Sequence, residues 1–150
     1  MKYVALLLAT LTSAITCIAQ SGQPTEHQRR DITALIGQYS LAREKSDTLL
    51  LKEILTNDID QLVSSGEWRT GLRAAVNGMR ASSASSPGTR TLTVDRIRML
   101  DPATAIVDCR YEIQNPDGIT RKMWSTFVVL AVKKDWKISA IRNMLPASSR

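Results

Sequence analysis

The first half of the chain carries apolar residues at steps of three and four, the spacing of amphipathic helices. The pattern predicts a helix over residues 26–45 and a second one that is capped by Ser46 or Asp47 and stopped by Asn57-Asp58. A third helix is predicted over residues 70–80. The apolar positions of the three stripes are Ile32, Leu35, Ile36, Tyr39 and Ala42; Leu50, Leu51, Ile54 and Leu55; and Leu72, Ala75, Val76 and Met79.

Apolar and polar residues alternate in the second half of the chain, which is the pattern of half-buried strands. The serine-rich residues 81–89 are predicted to form a loop, and residues 59–63 a short extended segment. The Asn-Pro-Asp-Gly sequence at residues 115–118 predicts a hairpin turn, and therefore an antiparallel sheet. The strand at residues 123–132 is apolar on both faces, so we expect it to be central. The four predicted strands are residues 91–100, 103–113, 123–132 and 136–144.

The first nineteen residues have the pattern of an export signal, with Lys2 followed by an apolar run. Small residues at Cys17 and Ala19 predict cleavage after Ala19, which gives a secreted or periplasmic protein. The alternative is a lipoprotein anchored at Cys17, although Thr16 suits lipidation poorly. Residues 20–25 are predicted to be a flexible lead-in, and residues 26–147 a single domain.

Charge and cysteine content narrow the functional classes. Eleven basic and six acidic residues follow residue 87, whereas basic and acidic residues balance between residues 20 and 87. This excess favours anionic ligands, but the sequence has no basic helix and no interleaving of aromatic and basic residues, so nucleic acid is not expected as a partner. After cleavage Cys109 would be the only cysteine; its place in an apolar alternation predicts a small buried side chain.

The order of three helices, a short strand and four long strands resembles the SnoaL-like members of the nuclear transport factor 2-like superfamily, over residues 28–146. The matching pieces are short. They are Tyr39-Ser40-Leu41-Ala42 in the first helix, Asp47 before the second, Asp58 through Gly66 to Gly71, Ala105 in TAIVD, and DWKISAIRNMLP at the last strand.

The resemblance implies an α+β, cone-shaped fold, with three N-terminal helices packed in a curved antiparallel sheet. It also implies a pocket at the open end of the cone and a dimer formed through the sheet. Catalytic members commonly use a His–Asp pair, or an Asp with hydroxyl donors, inside the cone. This chain departs from that pattern, because its single histidine, His27, lies at the very start of the first helix.

Five residues are candidates for ligand binding: Tyr39, Asp58, Trp68, Trp124 and Arg142. Arg142 shares the parity of Trp136, Ile138 and Ala140, so a regular strand would place it on the apolar inner face. A buried guanidinium needs an anionic ligand or a carboxylate, and Asp58, Asp60 and Asp108 are the alternatives within the protein.

Each of the other candidates has a structural alternative. Tyr39 could pack in the core, Trp68 could anchor a loop, and Trp124 could line the pocket or a contact between two sheets. Asp58 and Asp60 are predicted to be strand neighbours on one face, where mutual repulsion could make one of them a base. The commoner outcome for such a pair is a solvated strand edge.

The sequence therefore predicts non-catalytic binding of a small hydrophobic or anionic molecule, or protein association through a cone-shaped pocket. The alternative is an isomerase, cyclase or dehydratase that uses an Asp base and Arg142. No metal-ligand spacing or phosphate loop is present, so no cofactor and no metal are expected. The expected partner is a second copy of the chain, and a membrane only if Cys17 is lipidated.

Overall fold

A computed structural model describes residues 22–146. The predicted signal peptide, its cleavage site after Ala19 and the alternative anchor Cys17 lie outside the described residues. The described chain forms three helices and six strands. In chain order they are α1 (Glu26–Lys45), α2 (Thr48–Ile54), β1 (Leu55–Leu62), β2 (Trp68–Thr70), α3 (Leu72–Ser85), β3 (Thr89–Asp101), β4 (Thr104–Gln114), β5 (Thr120–Val132) and β6 (Asp135–Met144).

Helix α1 has the bounds that the periodicity predicts, and local chemistry explains both ends. Thr25 and Gln28 form a reciprocal capping box at its start, in which each side chain accepts a bond from the backbone amide of the other residue. Ser46 ends the helix in the left-handed conformation, with φ 55°. Asp47 then caps α2, as predicted, by accepting bonds from the amides of Leu49 and Leu50.

Strand β1 begins earlier than the sequence predicts. Leu55, expected in the second helix, is the first residue of β1, and Asn57 and Asp58 lie within the strand rather than ending a helix. The register of the pairing between β1 and β6 shifts between Leu55 and Asp60. The exposed pair Asn57-Asp58 lies in this irregular part of the strand. The short strand β2, which pairs with β1 in antiparallel fashion, is not predicted by the sequence.

Helix α3 continues through the segment predicted to be a loop. It starts at Leu72 instead of residue 70 and ends at Ser85 instead of residue 80. The hydroxyls of Ser82 and Ser85 donate to helix carbonyls, and that of Ser83 donates to the carbonyl of Arg43 in α1. Contact with α1 therefore outweighs the weak helix propensity of serine.

The six strands form one curved sheet in the order β2-β1-β6-β5-β4-β3. Neighbouring strands from β3 to β6 are antiparallel, as predicted, and so are β1 and β2. Strands β1 and β6 are parallel, however, which corrects the expectation of a wholly antiparallel sheet. A parallel pair needs a long connection, and here that connection includes α3 and four strands.

The helices pack on one face of the sheet, which is called the inner face below. At the centre of the inner face, the ring of Tyr39 in α1 contacts the ring of Phe127 in β5 edge to face. The two ring centroids lie 5.3 Å apart. Residues 22–25, part of the predicted flexible lead-in, lie against the sheet: the carbonyl of Gly22 accepts a bond from the amide of Met99, and Pro24 is buried.

A bulge in β6 changes which side chains face inward. Val128 pairs with Ala140 but its neighbour Val129 pairs with Ile138, so Ser139 is an extra residue in β6. Ile138 and Ile141 are both fully buried on the inner face. The expectation that Arg142 shares a face with Ile138 is therefore wrong, because the bulge turns the strand by one residue.

Candidate functional site

The five sequence-predicted site residues do not form one cluster. Trp124 and Arg142 point from the outer face of the sheet, which is the face away from the helices, and Trp68 lies beside Arg142. Tyr39 is fully buried on the inner side. Asp58 is exposed in the irregular part of β1. The structure thus brings Arg142 and Trp68 together and separates them from Tyr39.

Arg142 is held by one carboxylate and one aromatic ring. Its two terminal nitrogens, Nη1 and Nη2, each donate to a carboxylate oxygen of Asp60 at 3.0 Å. Its guanidinium carbon lies 4.7 Å from the ring centroid of Trp68. The side chains of Arg142 and Asp60 are 33% and 36% exposed, so water screens this pair. Asp60 is one of the three carboxylates that the sequence offers as structural partners.

A second set of hydrogen-bonded polar side chains lies next to Arg142 on the outer face. Arg96 of β3 donates to Asp108 of β4 through Nε and Nη2, at 3.2 and 2.8 Å. The hydroxyl of Thr126 in β5 donates to the other oxygen of Asp108 at 2.8 Å. Thr126 is paired in register with Arg142. Charged and polar side chains therefore form a band across the strands.

Apolar side chains lie on the same outer face on both sides of this band, because Thr126 and Arg142 separate Trp124 and Met144 from Val128 and Ala140. Trp124 is 40% exposed and is paired in register with Met144, which is 50% exposed. Further along the strands, half-buried apolar side chains alternate with the buried ones of the inner face. They are Ile106, Val128, Leu130 and Ala140. We call these four residues, with Trp124 and Met144, the outer apolar region.

The inner side contains a buried guanidinium, that of Arg43 near the end of α1. Arg43 is 5% exposed. Its Nη1 donates to the hydroxyl of Tyr39 and its Nη2 to that of Ser82, both at 3.0 Å, and its Nε to that of Ser83 at 3.4 Å. All three partners are neutral hydroxyls, and within residues 22–146 no carboxylate forms an ion pair with Arg43.

The nearby tyrosine does not supply a negative charge. Burial raises the pKa of the Tyr39 hydroxyl above its usual value, although the charge of Arg43 opposes that rise. Tyr39 is therefore protonated at neutral pH, and the buried charge of Arg43 has no counter-charge in the described part of the chain.

A cleft adjoins Arg43 where the ends of the three helices meet. It is a shallow depression rather than a cavity, because its empty volume of about 140 Å³ includes open solvent. The polar and charged residues that line it are Arg43, Ser46, Thr48, Arg80 and Ser83. Arg80 is exposed. None of the lining residues is acidic.

Two other arginines are buried within residues 22–146, and only one of them has a carboxylate partner. Arg69 is held by the carboxylate of Glu67, with an Nε to Oε1 distance of 2.8 Å. The bond from Arg69 lowers the pKa of Glu67. Arg90 donates to the carbonyls of Gly88 and Ser86, at 3.0 and 2.7 Å. Arg43 and Arg90 therefore both lack a carboxylate partner within residues 22–146.

The remaining reactive groups are placed away from these features. Burial raises the pKa of Cys109 to about 12, with Asp108 and Asp95 adding to the rise, so its thiol is a poor nucleophile. His27 is exposed and contacts Asp31, with 2.8 Å between Nδ1 and the carboxylate. Among residues 22–146, no group of three or more His, Cys, Asp or Glu side chains could hold a metal ion.

No helix within the described range combines the length and the apolar character that crossing a membrane requires.

Arg43 and the serines that bind it are not among the sequence-predicted site residues. Arg43 lies four residues after Tyr39 and seven after Ile36, so it continues the apolar stripe of α1. A charged residue on a buried stripe is a signal that could have identified it. Ser82 and Ser83 could not be found this way, because their segment is predicted to be a loop.

Comparison with known proteins identifies the fold. No protein-family model matches the sequence, and no curated protein matches it. Among solved structures, an NTF-2-like protein of unknown function from Shewanella oneidensis is 19% identical, with a TM-score of 0.67 over 77% of this chain and 98% of that chain. An NTF2-like protein with a cystatin-like fold from Novosphingobium aromaticivorans is 17% identical, with a TM-score of 0.71 over 82% and 84% of the two chains.

A domain of unknown function with a cystatin-like fold from Nostoc punctiforme is 16% identical, with a TM-score of 0.74 over 83% of this chain and 81% of that chain. At such identities the likeness concerns the backbone and leaves the chemistry of the sites open. The described chain has the cystatin-like fold of nuclear transport factor 2-like proteins, as the order of its helices and strands predicts.

Proposed function

We propose that this domain is a non-catalytic association module, whose outer sheet face pairs with the same face of a second copy. The observation that carries the proposal is the outer apolar region, in which Trp124 and Met144 lie side by side and half exposed. A face of this kind on a folded domain commonly marks an interaction surface.

The composition of the outer face supports a second copy as the partner. An interface between two identical faces related by twofold symmetry must be self-complementary. The outer face carries apolar side chains next to ion pairs of both signs, such as Arg96 with Asp108 and Lys122 with Glu112. Each sign on one copy can therefore meet the opposite sign on the other. We expect a total buried area on the order of 1,200–2,000 Å².

The inner side of the fold favours association over binding of a small molecule within the cone. Tyr39, expected to line a pocket, is instead packed against Phe127 in the centre of the fold. Met79, Ile138 and Ile141 are also fully buried in the same core cluster. Side chains thus fill the centre of the fold, which supports association over binding inside it.

The enzyme alternative, an isomerase, cyclase or dehydratase with an Asp base and Arg142, receives less support. Arg142 is paired with Asp60 on the outer face, where water reaches both side chains. A general base must be within hydrogen-bond reach of the proton that it abstracts. Both carboxylate oxygens of Asp60 instead accept bonds from Arg142.

The place of action that the sequence suggests is outside the cytoplasm. The export signal of residues 1–19 is the basis of this part of the proposal. Such a domain would lack an intrachain disulfide, because Cys109 would be its only cysteine. Close packing and association would then contribute its stability.

The test is the molar mass in solution of the chain that begins at Gln20. We expect a dimer at micromolar concentration by multi-angle light scattering. Trp124→Glu places a charge in the outer apolar region and should give a folded monomer. Leu49→Glu is the matched control, because Leu49 is 71% exposed on a helix, away from the sheet; this variant should remain a dimer.

A parent protein that is monomeric at high micromolar concentration would overturn the proposal. A dimer that Trp124→Glu leaves intact would show that another surface mediates association, which also contradicts it. Circular dichroism of each variant establishes that the domain is still folded.

A further inference from the structure

We propose that the second copy docks with its twofold axis along β5, so that Asp108 of one copy faces Arg142 of the other. This inference rests on the proposed dimer, and it adds the alignment of the two outer faces and the residues that select the partner. The partner is an identical face, on which each charge lies opposite a charge of the other sign.

Charges of alternating sign follow one another across the outer face. Backbone pairing aligns Arg96 of β3 with Asp108 of β4. Asp108 is aligned in turn with Thr126 of β5, and Thr126 with Arg142 of β6. Asp60 of β1 binds Arg142 through both carboxylate oxygens. From β3 to β1 the charges of these five residues, called the polar band below, are therefore positive, negative, neutral, positive and negative.

This order of charges selects one twofold axis. In a twofold interface each contact between two residues occurs twice, once in each direction. An axis along β5, in the plane of the interface, brings β4 of one copy over β6 of the other. Asp108 then faces Arg142, and Arg96 faces Asp60. An axis along the polar band would instead place each of these charges against its own copy, and like charges that face each other oppose association.

The outer side chains of β5 suit a position on the axis, where each residue faces its own copy. Those from residue 124 to residue 130 carry no charge, and they are Trp124, Thr126, Val128 and Leu130. Trp124 is 40% exposed, and two copies of its ring can pack on each other across the axis. Two sheets that pack face to face in the aligned manner keep their strands within about 30° of each other, as this axis requires.

The ion pairs within each chain prepare the polar band for association. Arg96 is paired with Asp108 at 2.8 Å and Arg142 with Asp60 at 3.0 Å, so no charge in the band depends on the second copy for a partner. The facing copy adds a second opposite charge to each residue. Complementary charges contribute mainly to specificity and to the rate of association. The polar band should therefore set the alignment of the two faces, while the outer apolar region supplies affinity.

Mixing two variants of the chain that begins at Gln20 tests the predicted contact. Asp108→Asn leaves Arg142 of the facing copy without its opposite charge, and Arg142→Gln does the same to Asp108. In a mixed dimer one of the two contacts is intact and the other is neutral on both sides. We expect the equilibrium ratio of mixed to unmixed dimers to rise about tenfold above the statistical value, so that about three quarters of the dimers are mixed instead of about half.

Native mass spectrometry measures the three dimers, with one variant labelled with nitrogen-15. Glu44→Gln and Lys45→Gln form the matched control pair, because both residues are exposed on α1, away from the outer face; these two variants should mix at random. Asp60→Asn with Arg96→Gln tests the second predicted contact in the same way, and it decides the question if Arg142→Gln does not fold.

Failure of this inference and failure of the proposed dimer give different results. A monomeric parent removes the dimer and the alignment together. A dimeric parent whose Asp108→Asn and Arg142→Gln chains mix like the control pair overturns the alignment and leaves the dimer standing. A mixture that is no more dimeric than either variant alone, at a concentration where the parent is a dimer, also overturns it.

Discussion

Arg142 joins three strands at one edge of the sheet through a single planar group. It lies on β6, its carboxylate partner Asp60 lies on β1, and the ring of Trp68 lies on β2. The bidentate geometry and the stacked ring favour an arginine over a lysine at this position. About a third of each charged side chain is exposed, so the pair should contribute less than a buried pair does.

We expect Arg142→Met to lower the free energy of unfolding by about 1–2 kcal/mol, below the roughly 3–5 kcal/mol of a fully buried pair. Arg142→Lys should lose a smaller part of that amount, because it keeps the charge but not the paired bonds. Urea denaturation at neutral pH measures both changes. Arg98→Met, at an exposed position of β3, is the control and should change stability little. A parent-like Arg142→Met would contradict the structural role.

At the residue scale, the sequence predicts chemistry better than it predicts orientation. The need of Arg142 for a carboxylate follows from its charge, and Asp60 is among the carboxylates that the sequence offers. The face of the strand does not follow, because the bulge at Ser139 arises from pairing with β5. Arg43 was missed since a charged residue at the end of a helix looks solvated until α3 packs over it.

At the scale of elements, the packing of α3 against the strand hairpin depends on one glycine. The side chain of Arg69, on β2, lies across α3 at Gly78, where a Cβ atom would overlap its Nε, Cδ and Cζ atoms. Arg69 is 8% exposed and is fixed by bonds to Glu67 and Gln61, so it has little room to move. Gly78 thus permits a close approach that no larger residue allows.

The same substitution should therefore have opposite effects in two helices. Gly78→Ala should lower the free energy of unfolding by about 1–3 kcal/mol, because overlap with Arg69 outweighs the gain in helix propensity. Gly37→Ala in α1 should raise it by roughly 0.5–1 kcal/mol, since a Cβ there meets nothing within 4 Å. Urea denaturation of both variants gives the comparison.

A double-mutant cycle tests the cause. In an Arg69→Ala background, Gly78→Ala should cost much less than it does in the parent, because the overlapping atoms are gone. An equal cost in both backgrounds would assign the effect to the helix itself. A stabilising Gly78→Ala would show that Arg69 can move aside.

The bounds of the elements could be predicted where local chemistry sets them, as at Thr25 and Asp47. They could not be predicted where tertiary contacts set them. The serine-rich end of α3 has weak helix propensity and is helical because it packs on α1. Strand β2 is only three residues long and exists as a strand through its pairing with β1. Neither contact leaves a periodic pattern in the sequence.

At the scale of the whole molecule, the order of elements carries the prediction of the fold. Three helices followed by long alternating strands predict a sheet with helices on one face, and the structure confirms it. The parallel pairing of β1 with β6 could not be predicted, because it joins segments about eighty residues apart. The outer apolar region is partly predictable, since residues 123–132 are apolar on both faces.

The last prediction concerns the start of the mature protein. Lys2, the apolar run after it, and the small residues at Cys17 and Ala19 predict that the protein isolated from its own host begins at Gln20. The first described contacts, from Gly22 to Met99 and between Thr25 and Gln28, lie downstream of that cut. A chain that begins at Gln20 should therefore keep every described contact and fold by itself. N-terminal sequencing and intact mass spectrometry check the cut; a lipid-modified Cys17 would instead establish the anchored form, in which residues 17–21 connect the domain to a membrane.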